Sequence, residues 1–128
     1  MSLLVESIKI LNGRCYNLAL HEARMNRSRF AVFGMEDRCN LKQFIQIPEA
    51  YMHGLVKCRV VYDSQIQEIT YGHYQIRTIR SVKIINTENH KYEHKWANRP
   101  QLDLLFDQRQ DADEIIIVNN GLVTDGYY

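Results

Sequence analysis

Several residues of this 128-residue chain could do chemistry, and their types and spacing limit which chemistry. His21, Arg24, Arg27 and Arg29 give a predicted helix a basic side that could meet a phosphate, although a solvated amphipathic face produces the same pattern. His90 and His94 stand four apart, but Lys91-Tyr92-Glu93 between them is not the order of a zinc-binding HExxH and no third ligand is spaced to help, so no metal site is expected. Lys95 lies between His94 and Arg99, just ahead of a predicted helix N-terminus. All three features disfavour an ammonium and favour a nucleophilic amine, and the ordinary alternative is a solvated loop lysine. No Gly-rich dinucleotide or Walker loop is present, no GxSxG elbow, and no single cysteine with a matched histidine, which removes those enzyme classes.

The elements that must position these residues follow from pattern. With 45% hydrophobic and 24% charged residues the chain has the usage of an ordinary globular protein, and its length supports a core without metals or crosslinks. Sixteen Lys+Arg against fifteen Asp+Glu leave a net charge of +1, so no overall field draws it to nucleic acid. No long apolar run or basic leader suggests a membrane span or secretion, and a cytoplasmic location is expected. Leu3 to Leu11 alternates and meets Asn12-Gly13, a type I′ hairpin pair. Leu20, Ala23, Phe30, Val32 and Phe33 suggest one helical face over 19–33, ended by Gly34. Leu41 to Ile45 suggests a short helix. Leu55 to Tyr62, Ile66 to Tyr71 and Tyr74 to Ile85 read as a three-stranded antiparallel meander. Asn98-Arg99-Pro100-Gln101 offers an N-cap, an early proline and an N3 glutamine for a helix over about 99–109. Ile115 to Val118 reads as a buried strand, Asn119-Asn120-Gly121 as a tight turn, and Leu122 to Asp125 as a returning strand that stops at Tyr128 as if inside a larger fold.

The order His21-x-x-Arg24-Met25, Lys95-x-x-Asn98-Arg99, Ala112-Asp113-Glu114 and Asn120-Gly121-Leu122-Val123-Thr124-Asp125 resembles the class IV pyridoxal-phosphate enzymes. These are the branched-chain and D-amino-acid aminotransferases and the aminodeoxychorismate lyases, of fold type IV, and GLVKCRVVYD over Gly54 to Asp63 looks like their central strand. The resemblance implies an α+β fold of the D-amino-acid aminotransferase type. Residues 1–85 would form the N-terminal sheet-and-helix domain, and 86–128 an arm plus the start of the cofactor-binding domain. It also implies roles. Lys95 would hold pyridoxal 5'-phosphate as a Schiff base and serve as acid and base. Arg24 would clamp the phosphate with a planar bidentate fork. Asp125, where most of the family has Glu, would face the pyridine nitrogen and keep it protonated. An amino acid would be the small-molecule substrate, with Arg59 and Arg77 as candidates for its carboxylate, and members pair as homodimers with the active site near the subunit boundary. Transamination and β-elimination both remain open. The reading from a different class is a non-catalytic remnant acting as a structural or protein-interaction domain, and a nucleic-acid module built on Arg14, Arg24, Arg27 and Arg29 is disfavoured by the balanced charge.

Cys15, Cys39 and Cys58 are odd in number and lack CxxC spacing, so each reads as a reduced, non-catalytic small hydrophobe. Thiol titration of the unfolded protein is expected to find all three free, and a smaller number would contradict this.

Overall fold

The computed structural model describes residues 2–88, 90 and 93–127. The Lys91-Tyr92 part of the spacing between His90 and His94, and the final Tyr128, lie outside the described residues. The chain forms two compact units. Residues up to Gln75 together with His94–Ala97 form one, and Ile76–Glu93 with the chain from Asn98 onward form the other. The sequence division at 85 falls inside a strand of the second unit.

In the first unit, β1 (Leu4–Leu11) turns through Asn12-Gly13, at φ 48° and 77°, into the short β2 (Arg14–Cys15). Both angles are positive, as a type I′ turn requires, which is why this dipeptide stands there. The helix α1 (Leu18–Phe33) and a single turn α2 (Leu41–Phe44) follow, then β3 (Leu55–Tyr62) and β4 (Ile66–His73), giving an antiparallel sheet in the order β2-β1-β3-β4. Gly34 ends α1 in the left-handed conformation at φ 68°, its N–H donating to the Arg29 and Phe30 carbonyls. Strand residues alternate between faces, and Leu4, Ile8 and Ile10 of β1 with Val56, Cys58, Val60 and Tyr62 of β3 form one core with Met25 and Leu41. Asp63 links β3 to β4 by accepting the Gln65 N–H at 2.9 Å and a Gln67 amide N–H at 3.0 Å.

Glu6 has the same parity as those core residues and is fully buried among them. Its presence decides how α1 lies. The apolar series Leu20, Ala23 and Phe30 reads as the inner face, yet Leu20 is 70% and Phe30 60% exposed. The helix instead turns His21, Arg24, Met25, Ser28 and Arg29 inward, because a buried carboxylate needs cationic hydrogen-bond donors more than it needs methyl groups. The expected basic side is thereby divided. His21 and Arg24 serve Glu6, Arg29 is buried against the Ser64 carbonyl, the Asn26 amide oxygen and Asp37, and Arg27 faces solvent.

The second unit holds β5 (Val82–Thr87), α3 (Pro100–Asp107), β6 (Glu114–Asn119) and β7 (Leu122–Asp125). β5 pairs parallel with β6, and β6 antiparallel with β7 through a bulge at Ile117/Val118. This corrects the meander. Residues 74–81 form no strand, and β5 leaves the first sheet to pair with β6, a parallel partnership that requires the long crossover containing α3. Pro100 occupies the first turn of α3, where its missing N–H costs nothing, but Arg99 rather than Asn98 holds the cap position, without a side-chain cap bond. Leu102 and Leu105 pack on Ile85, Ile115 and Ile117, and Tyr127 stacks on Phe106 at 4.0 Å between centroids. Among the described residues no helix is long and apolar enough to cross a membrane. The three cysteines are free, and burial pushes the Cys58 thiol up to about 11, far from thiolate formation.

Burial raises the Glu6 pKa, but the hydrogen bonds from His21 and Arg24 outweigh it and hold the carboxyl below its ordinary value of 4.5. A carboxyl that titrates lower in the fold than in the unfolded chain contributes stability fully above the unfolded value and loses it as pH falls through the folded one. Glu6→Gln is expected to lower the urea midpoint at neutral pH and to flatten its decline below about pH 4.5. Parallel acid limbs for the variant and the parent would show that Glu6 is not the group responsible.

Candidate active site

β1 is the element to which Lys95 and Arg24 are both referred. The Val5 N–H donates to the Lys95 carbonyl at 2.9 Å, the Ala97 N–H donates to the Leu3 carbonyl at 2.8 Å, and Leu4 bridges antiparallel to Trp96. Lys95 is therefore held in backbone register with Val5. The next residue along the strand, Glu6, takes the Arg24 guanidinium. Arg24 Nε lies 2.8 Å from Oε2 and 3.1 Å from Oε1, and Nη2 lies 2.6 Å from Oε1. Val5 and Glu6 are adjacent on the strand, with Cα atoms about 3.8 Å apart and side chains on opposite faces of the sheet.

A second tie runs from α1. The Ser28 hydroxyl, one helical turn beyond Arg24 and 1% exposed, is hydrogen-bonded to His94 Nδ1 at 3.0 Å, and the His94 ring meets Trp96 edge-on. The segment carrying Lys95 is thus secured on both sides of the lysine, by its backbone to β1 and by the preceding side chain to α1. Beneath them Tyr62 is fully buried, its hydroxyl pushed up to about 12 by burial first and by the Glu6 carboxylate second. It stays protonated at any ordinary pH.

Glu6 is gripped by more than Arg24. His21 Nδ1 lies 2.7 Å from Oε1, so the carboxylate receives donors from two residues three apart on α1. The Arg24 side chain remains 33% exposed and so meets solvent as well as Glu6.

Asp125 belongs to the second unit. Its Oδ1 accepts the Gly126 N–H at 2.8 Å, and its Oδ2 is buried with no hydrogen-bond partner among the described residues. A Cβ on Gly126 would sit 3.3 Å from the Ile115 carbonyl oxygen, so the backbone closes tightly beside the carboxylate. Arg77 lies in the irregular 74–81 segment rather than on a strand, and its Nη2 donates to Glu114 Oε2 at 3.1 Å. Glu114 Oε1 also accepts the Ile115 and Tyr127 N–H groups at 2.8 and 3.0 Å, which makes the Arg77 pair part of a hydrogen-bonded knot at the start of β6. Arg59 sits on β3 opposite Ser7 and Thr70, on the sheet face away from the core. Among the described residues no three His, Cys, Asp or Glu side chains gather as a metal site.

Glu6 and Ser28 were not singled out from the sequence. A signal for Glu6 existed: one acidic residue at the inward period of an otherwise apolar strand, with a His and an Arg three apart on the following helix. Ser28 had none, since its partner His94 is distant in sequence.

No family model matches the chain. A protein of unassigned function from Haemophilus influenzae (strain ATCC 51907 / DSM 11121 / KW20 / Rd) is 34% identical over 124 residues, covering 95% of this chain and 66% of its own length. A crystal structure from Haemophilus somnus 129pt, provisionally described as a 4-amino-4-deoxychorismate lyase, superimposes with a TM-score of 0.89 at 28% identity, over 99% of this chain and 68% of that one. The PLP-bound form of a hypothetical aminotransferase from Mycobacterium tuberculosis gives a TM-score of 0.72 at 14% identity, over 98% of this chain and 55% of that one, a likeness of fold alone. The chain thus spans about two thirds of the length of the first of these relatives. Both solved structures match its fold over nearly the whole of this chain. The chain therefore has the fold of the aminodeoxychorismate lyases and class IV aminotransferases, the fold-type-IV pyridoxal-phosphate enzymes that its motif order resembles.

Proposed function

We propose that this chain supports pyridoxal-phosphate chemistry at the α-carbon of an amino acid, by transamination or by the related lyase elimination. Lys95 carries the cofactor, Arg24 holds its phosphate and Asp125 faces its ring nitrogen. The observation that supports the reading is that Lys95 and Arg24 are both tied to the first residues of β1, Lys95 through its backbone and Arg24 through the Glu6 carboxylate. Two further features suit the cofactor. A guanidinium locked by a carboxylate yet partly exposed is a suitable donor for a phosphate, and a buried carboxylate oxygen lacking a donor is what a protonated pyridine nitrogen would satisfy. When bound, the cofactor serves as an electron sink for charge developing at the α-carbon.

The chain's own residues would do the rest. The Lys95 amine must be neutral to bond the cofactor and to take a proton from the α-carbon, and the same group, once charged, can return a proton elsewhere on the substrate. Arg24 fixes one end of the ligand by charge-assisted hydrogen bonds and so sets the distance from Lys95 to the reacting atom. Asp125, as an anion, keeps a proton on the ring nitrogen. Arg59 is the candidate for the substrate carboxylate, since Arg77 is paired with Glu114.

A homodimer, and the alternative of a protein-interaction domain without catalysis, draw on a different observation. β7 presents Leu122 and Val123 at 70% and 75% exposure, apolar surface that association would cover.

Mixed with pyridoxal phosphate, the protein is expected to develop the absorption band of a cofactor bonded to lysine, and borohydride should fix the label on Lys95. Lys95→Ala should abolish both, and label spread equally over Lys9, Lys42 and Lys83 would favour the interaction-domain reading. Arg24→Lys should weaken cofactor retention by about one to two decades, the worth of one lost charge-assisted hydrogen bond, while Arg27→Lys leaves it unchanged. Equal retention in the two variants would remove Arg24 from the site.

A further inference from the structure

We infer that Glu6 is the positioning residue that turns Arg24 into a preformed receptor for a phosphate monoester, an inference that rests on the reading of Arg24 given above. Glu6 is fully buried on the inner face of β1 between Leu4 and Ile8. An apolar residue there would complete the core, and a carboxylate taken out of water carries a desolvation cost that its partners must offset, so stability alone does not account for an acid at this place. What the carboxylate provides is geometry. Its two oxygens engage the Nε and Nη2 edge of Arg24, fixing the plane of the fork, while His21 Nδ1 at 2.7 Å holds the carboxylate itself from turning. An arginine of this exposure without such a brace would lose several freely rotating bonds on meeting an anion. Here that ordering is completed when the protein folds, and the phosphate meets a rigid donor.

Charge and orientation make opposite forecasts for one substitution, which makes the inference testable. Glu6→Gln removes a negative charge beside Arg24. If attraction to the local charge governed phosphate binding, the variant would bind more tightly. The amide, however, presents two N–H donors toward a guanidinium that has only donors, so it can accept from Arg24 at one atom and must leave the fork loose. The positioning role therefore requires weaker binding in spite of the added positive charge.

The experiment compares pyridoxal phosphate with pyridoxal, which lacks the phosphate, using quenching of the single tryptophan, Trp96, as the signal. A general folding defect lowers both affinities together, so the quantity read is their ratio. In the parent the ratio should favour the phosphate form, and Arg24→Lys should reduce that preference. Glu6→Gln and Glu6→Asp, which keeps the charge but is one methylene too short to span the fork, should each reduce it about ten-fold or more. A preference unchanged or increased in either Glu6 variant, with Arg24→Lys still impaired, overturns the role of Glu6 and leaves the Arg24 reading intact. Absence of any preference in the parent overturns both. Should neither Glu6 variant fold, the parent alone decides. The Arg24 Nε–H should show a rigid heteronuclear NOE where that of Arg27 is mobile, and equal mobility of the two would overturn the inference.

Discussion

A carboxylate enclosed by aliphatic side chains dictates how the first unit is assembled. Glu6 occupies a core position of β1, and an ionised group can remain there only if donors come to it. α1 supplies them from His21 and Arg24, and to do so it presents its polar side to the sheet and leaves Leu20 and Phe30 in water. Every other feature on that side of the helix follows from this orientation. Ser28 comes to lie where it can reach His94, Arg29 is carried inward onto Ser64 and Asp37, and Met25 enters the central apolar cluster, with Leu18 and Phe33 packed against it. The helix is fastened by charge and hydrogen bonds as well as by apolar contact. Such fastening is directional, and it fixes the Arg24 guanidinium against Glu6.

The residues given roles are divided between two bodies of different construction. Arg24, Lys95 and Glu6 belong to an antiparallel sheet with its helix, and Asp125 to a mixed sheet in which a parallel pair is joined across α3. One body holds a braced cation and the other a buried acceptor. The close approach of Gly126 to the Ile115 carbonyl and the attachment of Tyr127 to Glu114 show that the backbone just after Asp125 is as firmly placed as the strand before it.

The local elements were largely legible in the sequence because local rules fix them. Asn12-Gly13 can hardly be anything but a tight hairpin, Gly34 ends a helix for want of a Cβ, and Pro100 opens one. The strand β3 was legible from its β-branched content. The reading failed where a long-range partner decided the outcome. Tyr74 to Ile85 has the composition of one strand, but only the availability of β6 determines that pairing begins at Val82 and runs parallel. The inner face of α1 was misassigned because periodicity counts apolar residues and takes no account of an acid on the opposing sheet. Lys95, Arg24 and Asp125 stand out only through the order of short motifs, whereas Ser28 does not stand out, since a serine's partner 66 positions away leaves no local trace.

The place of His94–Ala97 has a consequence for how the protein comes into being. These residues complete the first unit beside Leu3 to Val5, yet in the chain they follow β5, which belongs to the second. During synthesis the first sheet therefore waits with a vacant position at its edge until the ribosome has delivered the beginning of its neighbour. Neither body is a contiguous stretch that could be excised, transplanted or matured separately. Their folding is interleaved, and the lysine sits in the short stretch of chain that does the interleaving.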